Sequence, residues 1–195
     1  DRDMSANINC HCGACGFEIA DRNPCLSLLC GCEDCRQALE WCATKGAIKP
    51  VSLPELIYVK SDILAVNGLQ LIGAFQLRPR ARSTRLYCKK CFSIIGVDHK
   101  SYKNNVFMFF KNNCSTTCDL SLKPAAAIYL KDLEETVEIN KLKSIPLIYT
   151  FSEAESQQFR SIEAVSKSFN DTNRSRSGQN LKSVIEQLDE IEILN

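Results

Sequence analysis

The sequence lacks any long hydrophobic run and has almost no net charge. No apolar stretch approaches the roughly 20 residues that span a bilayer, so we expect a soluble protein without a membrane-spanning segment. Lys and Arg total 24 and Asp and Glu total 23, a balance that gives no reason to expect nucleic acid or anionic lipid as a partner. Histidine is also scarce, and only His11 and His99 can serve as histidine bases.

Cysteine is abundant by contrast, with 12 residues that cluster at metal-binding separations. A CxCxxC pattern occurs at residues 10–15 and again at 30–35, and a CxxC pattern follows at 88–91. This spacing places two sulfurs on one tight turn, where both thiolates can reach a tetrahedral zinc. Three such clusters can supply two sites, so we predict two Zn²⁺ per chain, with an iron–sulfur centre as the alternative.

The cysteine clusters also indicate a cellular compartment. Disulfide-rich secreted domains are usually shorter than this chain of 195 residues, and the sequence has no recognisable signal peptide. Thiols at chelating separations require reducing conditions. We therefore expect a cytoplasmic protein, with the nucleus as a second reducing compartment.

Up to about residue 150 the apolar segments are short and β-prone, and glycines and prolines lie among or beside them. This pattern predicts small antiparallel sheets, with a short helix at residues 35–41 after the second cysteine cluster. The predicted strand segments are residues 17–19, 26–29, 56–59, 69–77, 94–97 and 106–110.

The pattern becomes helical after Phe151. Residues 152–155 resemble a helix capping box, and apolar residues then recur at helical spacing at positions 159, 162, 165 and 169. A polar interruption follows, and a second helical stripe covers residues 181–191. These features predict two C-terminal helices.

The change of pattern divides the chain into a zinc-binding β domain, residues 1–151, and a C-terminal helical extension, residues 152–195. The apolar stripes of the extension either pack on the β core or serve association, for example in a homodimer.

A basic stretch without an acidic residue leads into the third cysteine cluster. It comprises Arg78, Arg80, Arg82, Arg85, Lys89 and Lys90. These cations either hold substrate carboxylates, with Arg78 and Arg80 as candidates, or form the solvated face of an exposed strand. Arg36, directly after the second cluster, is a further substrate-binding candidate. Nucleic-acid binding is less expected, because the stretch lacks interleaved aromatic residues.

The cysteine clusters resemble those of the glutathione-dependent formaldehyde-activating enzyme family, also called the Gfa or centromere protein V-like domain. The resemblance is carried by Cys10-His11-Cys12-Gly13, by Cys30-Gly31-Cys32-Glu33-Asp34-Cys35-Arg36, and by Tyr87-Cys88-Lys89-Lys90-Cys91. A weaker likeness extends through residues 127–129 to Pro146, so that roughly residues 6–151 are covered. The resemblance implies a mainly β fold of β-tent-like antiparallel sheets, organised around two zinc sites.

The resemblance also implies that the two zincs have different roles. It assigns Cys10, Cys12, Cys88 and Cys91 to a structural zinc, and Cys30, Cys32 and Cys35 to a catalytic zinc. The catalytic zinc then has a fourth position for water or for a substrate thiol such as that of glutathione. Three thiolates weaken the metal as a Lewis acid and leave a bound substrate thiolate electron-rich, which favours chemistry at a carbon–sulfur bond.

Our leading hypothesis is a zinc-dependent carbon–sulfur lyase of the Gfa type, acting on a glutathione adduct or another small thiol-derived substrate. The alternative is a noncatalytic zinc-binding interaction module that uses its basic stretch or its C-terminal helices. Redox sensing through the remaining cysteines, Cys15, Cys25, Cys42, Cys114 and Cys118, is a third hypothesis. Trp41 either lines a substrate pocket or is a core aromatic residue.

Overall fold

The computed structural model describes residues 4–133, 139–142, 144–171 and 175–194, and within these ranges the protein is mainly β. The strands are β1 Ala6–Asn9, β2 Gly16–Ile19, β3 Leu26–Cys30, β4 Glu55–Lys60, β5 Ile63–Asn67, β6 Ile72–Gln76, β7 Ser83–Cys88, β8 Ile94–His99, β9 Val106–Phe110, β10 Ser115–Thr116, β11 Ala127–Ile128 and β12 Glu192–Ile193. The helices are α1 Glu33–Thr44, α2 Glu153–Ser161, α3 Glu163–Asn170 and α4 Leu181–Glu186. No helix in the described ranges is long and apolar enough to cross a membrane.

The strands form two sheets. The smaller sheet has the order β10-β1-β2-β5, and the larger sheet has the order β11-β3-β4-β9-β8-β7-β6-β12. Most neighbouring strands are antiparallel, but β11 joins β3 and β12 joins β6 in parallel. The prediction of a mainly β protein with antiparallel sheets is thus confirmed in outline, and each predicted strand segment overlaps an observed strand.

The larger sheet carries a hydrophobic core on each face. In β9 all five residues are buried, and successive side chains point to opposite faces. Val106, Met108 and Phe110 join one core, which also contains residues of α1 and α3, such as Ala38. Phe107 and Phe109 join the other core, formed with the smaller sheet and α4. The larger sheet therefore lies between a helical layer and the smaller sheet.

The helices differ in detail from their predicted extents. The single helix predicted from the apolar residues at 159–169 is interrupted at Ile162, whose backbone is extended. This segment therefore forms two helices, α2 and α3. The predicted capping box is present, because the Ser152 hydroxyl accepts the N–H of Glu155 and the Glu155 carboxylate accepts the N–H of Ser152.

The prediction of a helix continuing to Ile191 is wrong. Helix α4 ends at Glu186, and the chain then adds β12 alongside β6. The N–H of Leu194 donates to the carbonyl of Gln76 at 3.0 Å, so the last described residues pair with polar groups of a sheet edge.

Apolar side chains of the C-terminal helices are buried against the β core. Val165 of α3 belongs to the core on the helical side of the larger sheet, and Phe159 packs against the same core. Leu181 and Val184 of α4 belong to the core on the other side. The helical stripes therefore pack within this chain.

Candidate metal centres and the adjoining cavity

Four cysteines from distant parts of the chain form the first candidate metal centre. Their sulfurs all lie within 4.8 Å of one another, and the residues are Cys10, Cys12, Cys88 and Cys91. The Sγ of Cys12 is 3.6 Å from that of Cys10 and 3.8 Å from that of Cys88. Metal–sulfur bonds of about 2.3 Å in a tetrahedron give sulfur–sulfur edges of about 3.8 Å. The donor set therefore fits a tetrahedral four-thiolate metal.

Two turns hold this four-cysteine centre. One turn follows β1, and the other joins β7 to β8. The N–H of His11 donates to the Ser93 hydroxyl at 3.1 Å, which ties the first turn to the second. Gly13 has φ 77°, a conformation that glycine adopts without a steric penalty, and its N–H closes the turn onto the carbonyl of Cys10. The His11 residue is exposed, and it is not part of the centre.

Three cysteines at the junction of β3 and α1 form the second candidate centre. They are Cys30, Cys32 and Cys35, and no further ligand atom among the described residues joins the group. The Sγ atoms of Cys30 and Cys35 are 3.9 Å apart, again close to a tetrahedral edge. These seven cysteines are the residues predicted from the sequence, and the fold brings them together in two groups that can hold metal ions.

The three-cysteine centre favours a thiolate at Cys32. Hydrogen bonds from the thiols of Cys30 and then Cys35 lower the pKa of Cys32 to about 3, and burial opposes this shift. Cys32 is also the N-cap of α1, where its sulfur accepts the N–H of Cys35 at 3.2 Å. The positive charge of Arg85 acts on the pKa of Cys32 in the same direction.

The three-cysteine centre opens onto a cavity of about 440 Å³. One wall is aromatic and includes Tyr58, Tyr102, Phe159 and Phe169. The Phe169 ring stacks on Tyr102 with centroids 5.5 Å apart and meets Tyr58 edge-on at 5.6 Å. Because Phe159 belongs to α2 and Phe169 to α3, the C-terminal extension supplies part of the cavity wall.

The polar wall comes from β7, β8 and the turn after β8. Ser83 pairs with His99 across the two strands, and Arg85 pairs with Val97. Directly paired residues lie on one face of a sheet, and so do residues two apart on a strand, so these four side chains share the face that lines the cavity. Arg85 is only 3% exposed, and its Nε has no hydrogen-bond partner.

His99 is held as a neutral ring. Its Nδ1 lies 3.0 Å from the N–H of Ser101, which donates to it, and 2.7 Å from the Ser101 hydroxyl. Burial lowers the pKa of His99 to about 4, and the positive charges of Arg82 and Arg85 add to this shift. His99 therefore stays uncharged near pH 7.

The three arginines predicted to bind substrate lie outside the described cavity lining. Arg36 donates to the carbonyl of Asp132, and Arg78 forms a bidentate ion pair with Asp34, with contacts of 2.6 and 3.1 Å. Arg80 is exposed in the turn between β6 and β7, with φ 58°. The interpretation of positions 78, 80 and 82 as a strand face is wrong, because β7 begins only at Ser83.

The sequence names Arg85 only as one cation of the basic stretch and His99 only as one of two histidines that can serve as bases, and it gives no indication of the aromatic wall. The alternation of Ser83 and Arg85 would have placed both on one strand face, had the strand been started at residue 83. Trp41 packs against Phe75 and Tyr87, with ring centroids 4.7 and 5.5 Å away, and is absent from the cavity lining. Its position favours the core interpretation.

Four of the five remaining cysteines have environments that suppress thiolate chemistry. Burial raises the pKa of both Cys42 and Cys114 to about 12. Burial also raises the pKa of Cys118 and of Cys15, which lies beside the four-cysteine centre. Thiols with such pKa values react slowly with oxidants, so these residues give little support to redox sensing.

Comparison with known proteins adds no family assignment: a scan against protein-family models found no match, and a search of curated proteins found no significant match. A functional assignment therefore depends on the cysteine centres and the cavity.

Proposed function

We propose that this protein is a zinc-dependent carbon–sulfur lyase of the Gfa type, acting on a glutathione adduct or another small thiol-derived substrate. One observation carries the proposal: the three-cysteine centre opens onto a cavity, whereas the other centre has a complete set of four sulfurs. A three-sulfur centre leaves a position for an outside ligand, and a four-sulfur centre does not.

The two centres have different roles in this proposal. Cys10, Cys12, Cys88 and Cys91 would hold a structural zinc, which would link the turn after β1 to the turn after β7. Cys30, Cys32 and Cys35 would hold the reactive zinc at the cavity. Zinc in that position would accept the substrate sulfur as a thiolate and keep it nucleophilic.

The reaction adds a thiol to an aldehyde, or reverses that addition. In the forward direction sulfur bonds to the carbonyl carbon, the C=O π bond breaks, and the thiol proton ends on the oxygen. In the lyase direction the carbon–sulfur bond breaks and the hydroxyl proton returns to sulfur. No oxidant or reductant is needed.

The cavity residues bind and orient the substrate in this scheme. Because Nδ1 of the neutral His99 ring accepts the Ser101 N–H, the ring proton is on Nε2, which makes that nitrogen a hydrogen-bond donor rather than a base. We assign His99 to hold the oxygen of the aldehyde or its adduct. The aromatic wall places apolar side chains beside the position of the reacting carbon.

The same proposal includes the β-tent arrangement of the sheets and a reducing, cytoplasmic location. Strand β3 ends at the three-cysteine centre and strand β7 ends at the four-cysteine centre, which is compatible with a β-tent arrangement. The cytoplasmic location follows from cysteines that must remain reduced to bind metal. A homodimer stays a prediction.

The test follows the thiohemiacetal of formaldehyde and glutathione by exchange NMR, with metals per chain counted by native mass spectrometry. We expect two zincs and faster exchange for the wild type. Cys32→Ser should reduce exchange to near the uncatalysed rate, whereas Cys25→Ser should remain active, because Cys25 is in neither centre and lines no part of the cavity. Two zincs without acceleration for any of several thiol and aldehyde pairs would contradict the proposal and favour the noncatalytic module.

A further inference from the structure

Arg85 is a buried cation whose Nε has no hydrogen-bond partner among the described residues. The residue is 3% exposed. Neither a hydrogen bond nor an ion pair involves its guanidinium within the described part of the chain. Arginine is rarely buried without a partner, because removing its charge from water is costly. An unpartnered buried arginine in a cavity wall therefore points to a ligand.

Among the described residues, the surroundings of Arg85 add neutral hydrogen-bonding groups and no unpaired buried carboxylate. Ser83 and His99 are paired across β7 and β8 and line the cavity beside it. The acidic lining residues lie toward solvent: Glu33 and Asp132 are exposed, and the partly buried Asp34 is paired with Arg78. Arg85 is thus the cation among the described residues that line the cavity.

We propose that Arg85 binds a carboxylate of the substrate, so that the cavity takes small thiols that also carry a carboxylate. A guanidinium offers five donors in a planar fork that matches the two oxygens of a carboxylate. Ser83 and the Nε2–H of His99 supply further donors on the same wall. This inference rests on the proposed function for the position of the thiol, but carboxylate binding by Arg85 itself requires neither a metal nor turnover.

A competing role for Arg85 is to balance the negative charge of the three-cysteine centre. Its charge does favour the thiolate of Cys32. However, no hydrogen bond joins the guanidinium to the sulfur of Cys30, Cys32 or Cys35. The donors of Arg85 are therefore available for oxygen ligands.

The test measures binding of two thiols of equal chain length by isothermal titration calorimetry. One is 3-mercaptopropionate, and the other is the neutral 3-mercapto-1-propanol, with propionate as a probe that has no thiol. We expect the wild type to bind 3-mercaptopropionate at least about tenfold more tightly than the alcohol, as one charge-assisted pair provides. Arg85→Met should bind the two thiols with about equal affinity, because methionine keeps much of the aliphatic length of the side chain and removes the guanidinium.

Arg160→Met is the matched control. Arg160 is an exposed arginine on α2, next to Phe159 of the cavity wall, and does not itself line the cavity. Its replacement removes the same charge near the site and should leave the ratio of the two affinities unchanged. If circular dichroism shows that Arg85→Met does not fold, Arg85→Gln is measured in its place.

The inference is overturned if the wild type binds 3-mercaptopropionate and 3-mercapto-1-propanol with about equal affinity. It is also overturned if Arg85→Met keeps the wild-type preference for 3-mercaptopropionate. Loss of metal in Arg85→Met with an unchanged ratio would assign Arg85 to charge balance instead. If the lyase proposal fails because no substrate sulfur binds at the three-cysteine centre, the result differs: 3-mercaptopropionate then binds no better than propionate, while the Arg85-dependent preference for the carboxylate persists. Conversely, a thiol preference without a carboxylate preference removes only the inference about Arg85.

Discussion

Asp62 holds the C-terminal extension to the β domain, and we predict that Asp62→Asn will loosen that attachment. The Asp62 residue is 1% exposed, and its carboxylate accepts the N–H of Ser177 at 2.9 Å and the N–H of Gly178 at 2.6 Å. The pairing continues between Ile63 and Gln179, whose backbone groups exchange hydrogen bonds of 2.7 and 2.9 Å. This anchor lies between α3, which lines the cavity, and α4, which completes the second core.

The expected loss follows from the change of one oxygen to an amide nitrogen. Asparagine keeps the size of the side chain and one acceptor, but its NH₂ group then faces a backbone N–H that has lost its partner. The loss of one charge-assisted hydrogen bond, together with a buried N–H left without an acceptor, should cost about 2–4 kcal/mol of stability. Because a domain of this kind is stable by only about 5–15 kcal/mol, the effect should be large.

Urea unfolding followed by circular dichroism measures the change in free energy, and hydrogen exchange localises it. We expect the midpoint to fall by about 1 M, and the amides near Gly178 to exchange at least about tenfold faster than in the wild type. Asp119→Asn is the control, since exposed Asp119 accepts the N–H of Ser121 at 2.9 Å in a local turn, and it should leave the urea midpoint close to that of the wild type. If the two variants lose the same stability, or if exchange rises uniformly, the anchoring role assigned to Asp62 is wrong.

Two further predictions concern the cavity wall. Phe169→Ala removes a half-buried ring that packs on Tyr58 and Tyr102. The change should lower the free energy of unfolding by about 2 kcal/mol in urea titrations and should weaken binding of small thiols. Unchanged stability and binding would contradict the role of Phe169 in the cavity wall. The low pKa of His99, about 4 in the folded protein against about 6.5 when unfolded, means that only the unfolded chain binds this proton between those values. Stability should therefore fall by up to about 3 kcal/mol as pH drops from 6.5 to 4, and His99→Asn, which keeps an acceptor for the Ser101 N–H, should lose this component. Parallel pH profiles for variant and wild type would refute the assignment.

Local patterns allowed the two cysteine centres to be predicted. A CxC or CxxC turn fixes the separation of its own sulfurs, so Cys30, Cys32 and Cys35 could be grouped from spacing alone. Grouping Cys10 with Cys88 required the family resemblance, because only the fold brings those residues together. In β9 the unbroken apolar run predicted a strand, which is buried on both faces.

Other elements left weaker signals in the sequence. The break at Ile162 interrupts a stripe that keeps helical spacing on both sides, and neither glycine nor proline marks it. The two-residue strand β12 forms because β6 offers unpaired backbone groups, which is a property of the partner and not of the segment itself. Such elements depend on tertiary contacts, and a local pattern cannot predict them.

Burial separates the cations of the basic stretch, and burial depends on where β7 begins. Arg78, Arg80 and Arg82 precede the strand and lie in a turn, whereas Arg85 lies inside it, on the face opposite the one occupied by Leu86. A charge count treats these arginines alike, but only an arginine held in the wall of a cavity must find its counter-ion there. The wall that encloses it is completed by Phe159 and Phe169, which lie outside the region covered by the family resemblance. Under the proposed function, substrate preference should therefore depend on β7 and on the C-terminal extension together.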